Sequence, residues 1–139
     1  MYKVLLSIDA DEDRAILAAE AVAALPGNVD VVILNVFEKF TVSDGEARID
    51  SSELYDEDAY PDSVTTAAQI LESAGIEPEI RHEHGEPTET ILEVAAEIDA
   101  DTIAVSGRKR TPTGKAIFGS VTQSLLLSAD RPVTVVMGD

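Results

Sequence analysis

The 139-residue chain contains no cysteine and no tryptophan, and its aromatics are limited to three Tyr and three Phe. Without cysteine it has no disulfide framework and no thiolate metal site. Without aromatic bulk, its core has to be built from Val, Ile, Leu and Ala. Basic residues are also scarce, 10 Lys and Arg against 27 Asp and Glu, for a formal charge of −17. A field of that sign repels phosphate backbones, so nucleic acid is not an expected partner. No apolar run approaches the ~20 residues of a membrane-spanning helix, so no membrane partner is expected either. Met1-Tyr2-Lys3 leads directly into a strand-like run with no visible signal peptide, and the expected location is the cytoplasm.

Hydrophobic residues make up 45% of the chain, enough for one core in one domain spanning 1–139. The aliphatic runs argue against an acidic disordered chain. The acids are spread over most segments. This suits a hydrated, halophilic surface that stays soluble in high salt; an acidic face for a basic partner is the other reading.

Aliphatic runs alternate with helix-like stretches. Strands are expected at Val4–Ile8, Val31–Val36, Ile76–Arg81, Thr102–Val105 and Val133–Val136. Helices are expected at Asp11–Leu25, from Pro61 to Ala74, from Pro87 to Ile98, and at Ser120–Ala129. Residues 37–60 hold eight acids and show no period; they read as a long acidic loop. Strands 1, 2, 4 and 5 lack polar alternation, as in a parallel sheet buried on both faces. Pro78 removes a ladder donor, so the third strand belongs at an edge. Right-handed crossovers then give a doubly wound α/β fold with helices on both faces.

One segment breaks the acidic pattern. Residues 106–119 contain no acid and four bases: Arg108, Lys109, Arg110 and Lys115. The segment follows the fourth strand and enters a helix, so it lies beyond the carboxyl end of the sheet, where open α/β sheets bind ligands. Ser120 and Gln123 have the spacing of a capping box. A helix N-terminus beside cations favours an anion. The other reading is that these bases solvate a loop or pair with the acidic surface, but exposed pairs contribute only about 0–1 kcal/mol. No Walker A loop is present: six residues separate Gly107 from Gly114, and Ala116 follows Lys115. There is no Gly-x-Gly-x-x-Gly.

Other constellations carry less. His82 and His84 share a face in extended chain but lack an evident third metal ligand, and a surface role is the expected one. Neither histidine has an evident Ser/Asp partner set. Glu53, Asp56, Glu57 and Asp58 lack the glycine-containing pattern of a Ca²⁺ loop. No metal site and no catalytic residue is assigned.

In order and spacing, Val4-Leu-Leu-Ser-Ile-Asp9, Val31-Val-Ile-Leu-Asn-Val36, Gly85-Glu-Pro87, Gly119-Ser120-Val121-Thr122 and Arg131-Pro-Val-Thr-Val-Val136 resemble the universal stress protein family. The resemblance implies an adenine nucleotide alpha hydrolase-like fold: a five-stranded parallel sheet of order 3-2-1-4-5. It further implies a regulatory, stress-response protein that binds ATP or AMP, with Mg²⁺ if ATP, or another phosphate anion. Hydrolysis, if any, would be slow. A homodimer through Val133–Val136 is implied as well. Carried over by position, Asp9 would face the ribose or base and Val36 would contact the base through its backbone. Gly119, Ser120 and Val121 would hold phosphate.

Nucleotide-binding members carry Gly, two residues, Gly, nine residues, then Gly-Ser or Gly-Thr. Here Ser106 and Lys109 stand at the first two glycine positions, with Gly107 one place off. Side chains there either obstruct the phosphates or, as with Lys109 and neighbouring Arg108, grip them by charge. The competing function is a dimeric interaction protein of the same fold that binds no nucleotide.

Overall fold

A computed structural model describes residues 1–37, 61–107 and 119–137. Most of the acidic stretch, together with Arg108 and Lys109, lies outside the described residues.

The elements in order are β1 (Tyr2–Ser7), α1 (Glu12–Ala23), β2 (Val29–Phe37), α2 (Asp62–Ser73), β3 (Glu79–His84), α3 (Pro87–Ile98), β4 (Thr102–Ser106), α4 (Ser120–Ser128) and β5 (Val133–Val136). All five strands pair in parallel, in the order β3-β2-β1-β4-β5. This is the doubly wound sheet the sequence implies.

The unbroken aliphatic strands are explained by two cores. Val4, Leu6, Val31, Ile33 and Ala104 pack beneath Ala15, Ala18, Ala19 and Val22 of α1 and Val64, Ala67 and Leu71 of α2. Their neighbours Leu5, Val32, Leu34, Ile103 and Val105 point the other way, against Ile91, Val94 and Ala95 of α3 and Leu125 of α4. Successive strand residues serve opposite layers, so both parities must be apolar. The many alanines of α1 let it lie close to the sheet, and each buried Val, Leu or Ile contributes roughly 1.5–3 kcal/mol.

Three expectations change. The third strand starts after Pro78 rather than at Ile76. The Ile76 amide donates to Leu71 O (2.9 Å), finishing α2, and pairing begins with Glu79 opposite Val32. Pro78 therefore precedes the ladder to which it could not donate, and β3 is an edge strand as expected. At the other edge, β5 is not buried on both faces: Thr134 is exposed and the three valines are half-buried. Finally, His82 is half-buried while His84 is exposed. Both rings lie near Phe37, with centroids 6.3 and 5.3 Å away.

Local chemistry sets the helix starts. Asp11 caps α1 by accepting from the Arg14 amide (2.9 Å), and Glu86 caps α3 by accepting from the Glu89 amide (2.7 Å). At the far end of α3, Asp99 takes a left-handed conformation (φ 54°). There the Arg131 guanidinium donates to Ala95 O (3.1 Å) and Ala100 O (2.9 Å).

Candidate functional site

The winding reverses between β1 and β4. From the end of β1 the chain leads to α1 on one face, and the helix that follows β4, α4, lies on the other. Their carboxyl ends therefore diverge and leave a crevice. Asp9 follows β1, Ser106 ends β4, and α4 begins alongside.

The floor is held by buried polar contacts. Asn35 Nδ2 donates to Ile8 O (2.9 Å), and Ser63 Oγ donates to Asp9 O (2.6 Å). Both side chains are almost fully buried, so the Ile8–Asp9 backbone is fixed from β2 and α2 together.

Two adjoining cavities occupy the crevice. One, of about 110 Å³, is polar and lined by Asp9, Arg14, Ser106 and the Gly119–Thr122 turn. The other, of about 130 Å³, is bounded by Ser7, Ile8, Asp9, Val36, Pro87, Ile91, Val105, Ser106 and Val121. Asp9, Ser106 and Val121 line both.

Of the residues singled out in the sequence, Asp9, Val36, Ser106, Gly119, Ser120 and Val121 come together here. Gly107 turns elsewhere. Its amide donates to Val136 O (2.8 Å), and a Cβ on it would stand 2.5 Å from Met137 Sδ. It thus belongs to the β4–β5 ladder and lines neither cavity.

The expected capping box is not formed. Gly119 is the N-cap, in extended conformation (φ −69°, ψ 165°), and Ser120 is the first helical residue. Gln123 thus falls one position past the place from which it could reach back, and its amide donates to Gly119 O (3.0 Å). Thr122 Oγ1 instead donates to Ser106 O (3.1 Å), tying α4 to the end of β4. Gly119 supplies no side-chain cap, so the first-turn amides keep their capacity to bind an acceptor.

Asp9 is both turn former and cleft residue. Its Oδ1 accepts from the Asp11 amide (2.9 Å) and its Oδ2 from Arg14 Nη2 (2.8 Å). Arg14 Nη1 stands 3.3 Å from Asp11 Oδ2. The hydrogen bond to Asp9 raises the Arg14 pKa above its ordinary value; burial opposes this, and the charges of Asp9 and Asp11 add to it. Sequence reasoning missed Arg14. The available signal was a single base closing the otherwise acidic run from Asp9 to Asp13.

A parallel sheet of this order, with a crevice at its winding reversal, defines a doubly wound α/β protein. The family model described as "Universal stress protein family" matches residues 1–137, and the chain belongs to that family. It is 34% identical over 98 residues to a universal stress protein of Mycolicibacterium smegmatis, covering 66% of this chain and 68% of that one. The structure of a universal stress protein from Archaeoglobus fulgidus superposes with a TM-score of 0.74 at 28% identity, covering 98% of both chains. A universal stress protein from Archaeoglobus fulgidus in complex with dAMP superposes at 0.65 with 23% identity, again covering 98% of both.

Proposed function

We propose that this chain is a regulatory binding protein, one domain over 1–139, that takes an adenine nucleotide, ATP or AMP, in the β1–β4 crevice. The observation that carries the reading is the meeting of Asp9, Ser106 and the side-chain-uncapped start of α4 around one polar cavity, continuous with a recess walled by Val36, Ile91 and Val105. The recess suits a flat base, Asp9 a sugar hydroxyl, and the Gly119–Val121 turn a phosphate. Solved structures of the same fold include complexes with dAMP, cAMP and AMP. Arg108 and Lys109 would add charge, with Mg²⁺ accompanying ATP. No residue is assigned as a catalytic base.

A second reading, a dimeric interaction protein without nucleotide, is favoured by Ser106. It stands at the first glycine position of the family's motif and lines both cavities. Either way, the β5 edge, Val133–Val136, is proposed as the homodimer contact, because an apolar edge strand invites pairing. The protein is proposed to work in the cytoplasm.

Equilibrium dialysis with ATP and AMP in high salt separates the readings. Binding by the native chain that is lost in Lys109→Glu and Ser120→Pro variants supports the nucleotide reading. No uptake of either nucleotide by an intact dimer moves the assignment to the second.

A further inference from the structure

The proposed nucleotide site leaves Arg14 without a role. This side chain sits in the first turn of α1 and lines the polar cavity together with Ser120 and Thr122, but it does not line the recess of Val36 and Ile91. Among the described residues lining the two cavities, Arg14 is the one cation and Asp9 the one acid. A lone carboxylate beside a phosphate pocket is a penalty, since like charges repel most where solvent is thinnest.

The geometry lowers that penalty. Arg14 Nη2 holds Asp9 Oδ2 at 2.8 Å, and the guanidinium is the better covered partner, 28% exposed against 58% for the Asp9 side chain. A guanidinium carries five N–H donors in a planar fork. The contacts to Asp9 and Asp11 use part of the fork. The rest can serve an anion in the same cavity, as forked donors commonly do for phosphate.

We propose that Arg14 is the specificity-determining residue of the crevice. It cancels the Asp9 charge and presents guanidinium donors on the α4 side, so that phosphorylated adenine ligands are held in preference to adenosine. This rests on the nucleotide reading above and adds the residue that tells ligand classes apart.

The test is isothermal titration of adenosine, AMP and ATP into the full chain, native and as Arg14→Gln and Arg14→Lys. The native protein is expected to prefer ATP to adenosine. Arg14→Gln should weaken ATP by about tenfold or more, the size of one lost charged hydrogen bond, and leave adenosine unchanged. Arg14→Lys, which keeps the charge but not the fork, should fall between. A loss of equal factor for adenosine and ATP would mean that Arg14 merely props Asp9, and the inference fails while the nucleotide reading stands. Native protein that binds none of the three overturns both.

Discussion

Gly85 offers a sharp test of how the β3–α3 turn positions the crevice. Its φ is +145°, a region that L side chains rarely adopt, and a Cβ there would stand 2.6 Å from Thr90 Oγ1. Gly85→Ala therefore meets two costs. Backbone strain of this kind is of order 1–3 kcal/mol, and the overlap with Thr90, which is buried in α3, adds about 1–3 kcal/mol of overpacking. The total of roughly 2–6 kcal/mol compares with a typical domain stability of about 5–15 kcal/mol, so most of that range leaves the variant folded at 25 °C. At the usual entropy per residue the midpoint should fall by about 7–20 °C. Urea and thermal unfolding followed by far-UV circular dichroism suit a chain without tryptophan. Thr90→Ala separates the two costs: in that background Gly85→Ala should be milder by about 1–3 kcal/mol, a coupling that a double-mutant cycle reads directly. A Gly85→Ala midpoint within error of native would refute the strain argument. An equal cost in both backgrounds would refute the clash.

Other expectations follow from single contacts. Arg131→Met removes the donors to Ala95 O and Ala100 O and should cost about 1–3 kcal/mol in thermal unfolding; an unchanged midpoint would mean that those carbonyls find other donors. His82 lies below its ordinary pKa of 6.5, chiefly through burial and then through His84, with Glu83 opposing. As pH falls below 6.5 the unfolded chain takes up that proton first. Stability should thus be whole above this value and decline as the pH drops toward the folded pKa, and His82→Gln should flatten the decline. Thr134 is exposed in mid-β5. Thr134→Lys should convert the proposed dimer to monomer in sedimentation velocity, and a native chain that sediments as monomer at every concentration removes the β5 contact from consideration.

The sequence was most legible where burial was complete. β1, β2 and β4 announced themselves because both parities of each strand face a core, leaving no polar alternation to mislead. β3 was placed too early because the alternation of Ile76, Pro78 and Ile80 with charged residues looks strand-like from Ile76 onward, while in fact the Ile76 amide closes α2. β5 has the same composition as the buried strands but lies at an edge, a difference set by topology and invisible to composition. In the crevice, Ser106 and Gly119-Ser120 could be marked from their positions at strand and helix ends, whereas Asp9, Val36 and Val121 were marked by the family resemblance. For Arg14 the one signal, a base closing an acidic run, is weak, since a base in the first turn of an amphipathic helix looks like any solvent-facing residue until the fold brings Asp9 beside it. The Ser120–Gln123 spacing misled by one position, because a cap depends on where the backbone turns helical.

Arg131 gives α3 a second significance. At its carboxyl end the helix is gripped by a side chain that belongs to the run into the outermost strand. At its amino end, Pro87 and Ile91 form a wall of the larger crevice cavity. Twelve helical residues make a strut of about 18 Å. One stiff member thus spans from the proposed docking edge to the proposed ligand site, and the Arg131 guanidinium holds its far end by two hydrogen bonds to carbonyls while standing 3.9 Å from Asp99.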